Sequence, residues 1–251
     1  MRMQTTFDTG LMWFRRDLRT SDNAALHMAL NQCAHVHCVF IFDKVILAGL
    51  PRADRRVEFI RESLVELDAS LRELCGKAGA GLIVRHAVAS DEIVRLASEL
   101  KVQAVFAARD YEPQAVARDA HVQLALAEAG CAFFTCKDQV IFEGREILTQ
   151  AGTPYGVFTP YKNNWLTRVA LMDVGAHDSA PLAHRLKERP TGCQNPVPSL
   201  ADIGFEATNL AHLKIPIGAH GGQALFDTFF ERMDDYHATR DFPAVKGPSY
   251  L

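Results

Sequence analysis

The chain has 251 residues, 48% hydrophobic and 23% charged, with 16 Gly and 11 Pro, which excludes collagen-like, low-complexity and disordered classes and leaves ample material for a buried core. Its 27 Lys and Arg against 30 Asp and Glu give a net charge of −3, so no whole-chain field attracts nucleic acid or anionic membrane. The six cysteines (Cys33, Cys38, Cys75, Cys131, Cys136, Cys193) are scattered through mostly apolar runs and read as reduced thiols. His35, His37 and Cys38 alternate along one segment with no second ligand pair at zinc spacing, so no metal is expected. No apolar run reaches membrane-spanning length and the first ten residues are polar, which makes the cytoplasm the expected location and a membrane partner unexpected.

In chain order, short runs rich in Val, Ile and Phe predict strands over 11–14, 36–42, 81–85, 104–107 and 132–135. Between them lie helical patterns. Residues 23–30 form a short one with Ser21 or Asp22 as cap. Residues 55–74 place Val57, Ile60, Leu64, Leu67, Leu71 and Leu74 at the 3,4 spacing of one helical face. Further helices are predicted over 91–100 and over 115–129, the latter stopped by Gly130. This alternation predicts an α/β fold, a Rossmann-like five-stranded parallel sheet with helices on both faces, whose ligands would sit at the loops after the strands.

Beyond Val140 the alternation stops. Residues 140–148, centred on Glu143-Gly144-Arg145, predict a hairpin, and 153–168 an aromatic-rich loop leading into a short helix. Residues 172–222 hold Pro181, Pro190, Pro196, Pro198 and Pro216 with weak periodicity, so they are expected to join two units. From Gln223 an amphipathic helix is predicted with Leu225, Phe226, Phe229, Phe230, Met233 and Tyr236 on one face. That stripe needs a partner, expected further along a longer chain rather than on the α/β core; self-association through it is the other expectation.

Several separate motifs agree with one family. Trp13-Phe14-Arg15-Arg16-Asp17-Leu18-Arg19 with Ser21-Asp22-Asn23, then Phe42-Asp43 and Arg55-Arg56-Val57, Asp110-Tyr111-Glu112-Pro113 with Arg118-Asp119, and the run Val157 to Trp165 together resemble the DNA photolyase and cryptochrome family. The resemblance implies a light-harvesting antenna domain over 1–171, an interdomain linker over 172–222, and over 223–251 the start of a truncated all-α FAD-binding domain. It further implies that the full-length relative is a deoxyribodipyrimidine photo-lyase that splits cyclobutane pyrimidine dimers in UV-damaged DNA by blue-light-driven electron transfer from reduced FAD. The chain itself would hold no catalytic residue and bind DNA weakly or not at all. A cryptochrome photoreceptor and a generic flavodoxin-like nucleotide- or flavin-binding module are the alternatives.

By residue match, the resemblance gives Arg56, Asp110 and Glu112 as contacts to an antenna chromophore, and Tyr236, Ser249, Tyr250 and Leu251 as a partial FAD site. A planar guanidinium suits the carbonyl or anionic groups of a flavin-like ring, and a carboxylate accepts its N–H or O–H protons. Folate-type members carry Asn-Glu where this chain has Gln114-Ala115, so an 8-hydroxy-5-deazaflavin type is favoured over methenyltetrahydrofolate, with an FMN-like or empty site as further alternatives. The three arginines after the first strand invite a phosphate site, against which Asp17 and Asp22 stand as adjacent countercharges. Lys162 and Arg168 among Tyr155, Phe158, Tyr161 and Trp165 invite a nucleic-acid rim, against which the aromatics would pack a seam between units.

Overall fold

The computed structural model describes residues 6–172, 174–242 and 244–245. Five parallel strands, β1 (Phe7–Phe14), β2 (Cys33–Asp43), β3 (Leu82–Ala87), β4 (Ala104–Ala108) and β5 (Ala132–Cys136), form one sheet in the order β3-β2-β1-β4-β5. The connecting helices are α1 (Ala24–Gln32), the single turn α2 (Lys44–Leu47), α3 (Arg55–Cys75), α4 (Ala89–Glu99) and α5 (Pro113–Glu128). The predicted α/β class and all five strands are present. No described helix is long and apolar enough to cross a membrane.

The strands are apolar on both faces because both are covered. On one face Met12, Phe14, Phe40, Phe42 and Phe106 pack with residues of α1 and α3. On the other Leu11, Trp13, Val39, Ile41 and Val105 pack with α4 and α5. Alternation along β1 thus sends Leu11 and Trp13 one way, Met12 and Phe14 the other.

Local signals set the ends of the helices. Asp54 caps α3 by accepting from the Arg56 N–H at 2.8 Å, and Gly76, at φ 65°, closes it with its N–H on the carbonyls of Arg72 and Glu73. The cap of α1 is Asn23, not Ser21 or Asp22: its side chain accepts from Leu26 N at 2.9 Å, while Asp22 holds φ 47° and its carboxylate turns to His177 N.

Past β5 the structure departs from expectation. Residues 140–148 contain no strand. Glu146 N bonds the Glu143 carbonyl across a turn with Gly144 at φ 50°, and Glu143 N is taken by the Glu146 carboxylate, so no ladder partner remains for a hairpin. The helix α6 (Phe158–Val169) follows, with no buried residue.

Residues 172–222, expected as a joining segment, lie on the α/β unit over their middle part. Leu186, Val197, Ile203 and Phe205 enter the same core as α1 and α3, and Cys193 enters the opposite one. Lys187 N bonds the Val36 carbonyl and Arg189 N the Gly79 carbonyl, both at 2.9 Å.

The final amphipathic helix, α7 (Gly218–Phe230), starts earlier than expected and ends before Met233 and Tyr236. Gly221 and Gly222 lower helix propensity and hide the start, yet Gly221 packs against Pro216 and His220 N bonds Glu66 Oε1 of α3 at 3.0 Å. This first turn folds back on α3, while Phe226 and Phe230 of the stripe stay exposed. The chain leaves the helix at Arg232 (φ −125°), makes a 3-10 turn over Met233–Asp235, and re-enters a short helix, α8 (Tyr236–Thr239), so Met233 and Tyr236 do not extend the stripe.

Candidate functional site

The strand order reverses between β1 and β4, and in parallel sheets the crevice at such a reversal, beyond the carboxyl ends of the strands, is where ligands sit. The loop after β1 carries Arg15, Arg16, Asp17 and Arg19; the loop after β4 carries Arg109, Asp110, Tyr111 and Glu112.

Each arginine after β1 is held by a carboxylate from far along the chain. Arg15 Nη1 lies 2.6 and 2.8 Å from the two oxygens of Asp119, and its Nη2 donates to the Ala108 carbonyl. Arg118 shares Asp119 at 2.9 Å, and both guanidiniums stack on the Trp13 ring, 4.9 and 5.2 Å from its centroid. Arg19 grips Asp138 with two bonds of 3.0 Å, and Asp138 also accepts from Ala24 N at the first turn of α1. The loop therefore does not present free arginines to a phosphate. Asp17 and Asp22 are not the countercharges either: Asp17 is buried, accepting from Arg15 N and from the Asn23 amide, and burial raises its carboxyl pKa against those bonds.

Arg16 brings two predicted contact residues together. Its Nε reaches Asp110 Oδ2 at 3.2 Å and its Nη2 reaches Glu112 Oε1 at 2.7 Å. The Glu112 hydrogen bond, helped by Asp110 and opposed by partial burial, raises the guanidinium above its ordinary value. Asp110 is buried and also accepts from Tyr111 N at 2.8 Å, whereas Glu112 is largely exposed with Oε2 open. Beside them Glu143 binds Arg109 and accepts from the Tyr111 hydroxyl at 2.7 Å; burial and this carboxylate push the phenol up to about 12. Burial pushes the Cys136 thiol, at the end of β5, up to about 12, away from the lowered pKa of an activated cysteine.

Arg56 stands at the same edge of the sheet, on the first turn of α3, but its bonds run to Asp54 at 3.0 and 2.6 Å rather than to Asp110 or Glu112. That pairing draws the Asp54 carboxyl down to about 2. The Arg56 side chain is 71% exposed and lines an open recess of about 520 Å³ with Arg55, Thr208 and Asn209. Gln114 is exposed and Ala115 is buried in α5, so no carboxylate stands at the folate-type position. Tyr236 opens α8, half-exposed, with the Arg240 guanidinium 5.9 Å from its ring; Ser249, Tyr250 and Leu251 lie outside the described residues. In the aromatic segment Tyr155 and Tyr161 meet edge-on at 6.1 Å, Phe142 and Trp165 at 5.7 Å, and Lys162 is exposed. Sequence reasoning did not find Asp138 and Glu143; Asp119 was visible only as part of a motif.

The DNA photolyase family profile matches residues 10–183. The chain belongs to the DNA photolyase family. It is 30% identical over 251 residues to the deoxyribodipyrimidine photo-lyase of a Synechococcus strain, covering 96% of this chain and 49% of the relative. A class III photolyase from Agrobacterium tumefaciens, 24% identical, superimposes with a TM-score of 0.76 over all of this chain and 50% of that one, showing the shared fold. An archaeal photolyase from Sulfolobus tokodaii, solved with two FAD molecules, is 29% identical with a TM-score of 0.52, over 66% of this chain and 36% of that one. The chain spans about half the length of the curated photolyases it matches. Family membership sets aside the generic flavodoxin-like module.

Proposed function

We propose that this chain is the light-collecting α/β unit of a deoxyribodipyrimidine photo-lyase, holding an antenna chromophore of the 8-hydroxy-5-deazaflavin type at the carboxyl edge of its sheet, with methenyltetrahydrofolate as second choice. The observation that carries the reading is the Arg16 clamp, which gathers Asp110 and Glu112 at the reversal of strand order. The donor set suits a flavin-like ring: Arg56 keeps Nη1 open beside its Asp54 pair, and Glu112 keeps one carboxylate oxygen open. When bound, the chromophore absorbs light and passes the excitation through space to FAD. The protein's part is to orient it: Arg16 fixes the acid pair, Asp54 fixes the Arg56 fork, and no nucleophile or general base is required.

In this reading 1–171 is the antenna domain, 172–222 the connection, and 223–251 the entry to a helical FAD domain to which Tyr236, Ser249, Tyr250 and Leu251 contribute. DNA contact and dimer splitting belong to that helical domain, and the protein works in the cytoplasm. The chain alone is expected to split no pyrimidine dimers under blue light; splitting restored by added FAD would overturn that part.

The test is an absorption and fluorescence titration of the purified chain with 8-hydroxy-5-deazaflavin and, separately, with methenyltetrahydrofolate. Binding of the deazaflavin, weakened roughly tenfold by Arg56→Gln and by Glu112→Gln, supports the assignment. Failure of both compounds to bind, or unchanged binding by both variants, defeats it.

A further inference from the structure

A second recess, of about 850 Å³, opens between the loop that follows β5 and the end of α6. Its volume falls in the range of about 300–1,000 Å³ typical of small-molecule sites. One wall is apolar: the Phe142 ring, buttressed edge-on by Trp165, with Leu148, and Leu171 left 84% exposed. The other carries Lys137, Arg145 and Arg168 with the Glu146 carboxylate among them, the Lys137 ammonium standing 5.8 Å from the centre of the Phe142 ring. Lys137 is neutralised by Glu146 at 2.7 Å, but among the described residues the other two cations have no carboxylate partner. Arg145 makes one bond, to the Gly152 carbonyl at 3.2 Å, and the Arg168 side chain has no partner among the described residues.

That pattern is unusual in this chain, where Arg15, Arg16, Arg19, Arg56, Arg109 and Arg118 are each held by an acid. Two uncompensated guanidiniums facing an aromatic wall make a complement to a flat ring that carries a negative group. We propose that this recess binds a small planar aromatic anion of the nucleoside or flavin monophosphate class, its ring against Phe142 and Leu148 and its phosphate taken by Arg145 and Arg168. The site is separate from the clamp at Arg16 and does not rest on the antenna assignment.

FMN is a suitable probe, because its fluorescence reports on the environment of the ring. Titrated into the full chain, it is expected to bind at micromolar concentration, with riboflavin, which lacks the phosphate, roughly tenfold weaker. Arg145→Gln and Arg168→Gln are each expected to weaken FMN binding roughly tenfold, and Glu128→Gln, exposed at the far end of α5, to leave it unchanged. Both substituted arginines are exposed, and circular dichroism melting checks that the variants fold. Three results overturn the proposal: no binding at millimolar FMN, binding untouched by both substitutions, or binding lost in Arg56→Gln while Arg145→Gln and Arg168→Gln retain it. The last would place FMN at the antenna site instead.

Discussion

The Arg15 guanidinium rests on the Asp119 carboxylate at 2.6 and 2.8 Å, joining residues 104 apart in sequence across the crevice between β1 and β4. Only 8% and 14% of the two side chains is exposed, so the pair closes the crevice floor instead of waiting for a ligand. Asp119 also holds Arg118 at 2.9 Å, so losing Arg15 leaves the carboxylate one cation, whereas losing Asp119 strands two mostly buried guanidiniums, the costlier change at about 3–5 kcal/mol.

In urea unfolding Arg15→Met should therefore cost about 1–3 kcal/mol, Asp119→Leu more, and Arg15→Met with Asp119→Leu clearly less than the two single losses summed. Additive losses in that double-mutant cycle would show that the two side chains act independently.

Asn23 is fully buried and joins the loop to α1: it caps Leu26 N and donates to Asp17 Oδ2 at 3.1 Å and to the carbonyls of Asp17 and Arg19. Asn23→Ala should cost about 2–3 kcal/mol, the cap contributing about 1 and the stranded Asp17 the remainder. Asn23→Ser, which keeps the cap but not the amide, should fall between; a loss below about 0.5 kcal/mol for Asn23→Ala in urea unfolding would contradict this account.

Gly10 has an ordinary strand backbone, yet a Cβ there would stand 2.5 Å from Cys33 Sγ and 3.2 Å from Phe106. Gly10→Ala is expected to destabilise by about 1–3 kcal/mol through overpacking. Cys33→Ala in the same chain should relieve part of that loss, and thermal melts of the single and double variants measure the coupling.

His37 is 5% exposed, and burial, with Lys187 and His35 adding positive charge, lowers its pKa from 6.5 to about 4. Its folded form stays neutral where the unfolded chain takes a proton. Its contribution is thus complete above pH 6.5 and falls as the pH drops toward 4, by about 3 kcal/mol at most. Asp17, with a raised pKa, has the opposite slope, since proton uptake on acidification favours its folded state. Comparing wild type with His37→Asn isolates the histidine: the wild type should lose more stability than the variant between pH 6.5 and 4. Parallel pH profiles would rule out the histidine as the source.

The periodic elements were legible because burial imposes their periods. The stripe of α3 and the apolar runs of β1 and β2 are what a two-sided core demands. Elements shaped by side-chain bonding were not. The Glu143–Glu146 turn looks like a hairpin until both polar ends of Glu146 are seen to be used there, and α7 hides its start in a glycine pair held only by Pro216 and Glu66. At the candidate site, Asp110 and Glu112 were legible through their motif, but Arg16 reads as part of a polar loop paired with its neighbours Asp17 and Asp22, and its actual partners lie about ninety-five residues further on. Nothing local to Arg15 or Arg19 announces Asp119 or Asp138, whose places follow only from strand order.

The packing of Leu186, Val197, Ile203 and Phe205 beneath the sheet has a practical consequence for recombining this unit with others. A graft made at position 171 would leave behind the residues that seal the core around α1 and α3, and the recipient's own segment would have to match their shapes. A junction placed after Leu210, itself buried near the start of α3, carries the seal along with the sheet it fits.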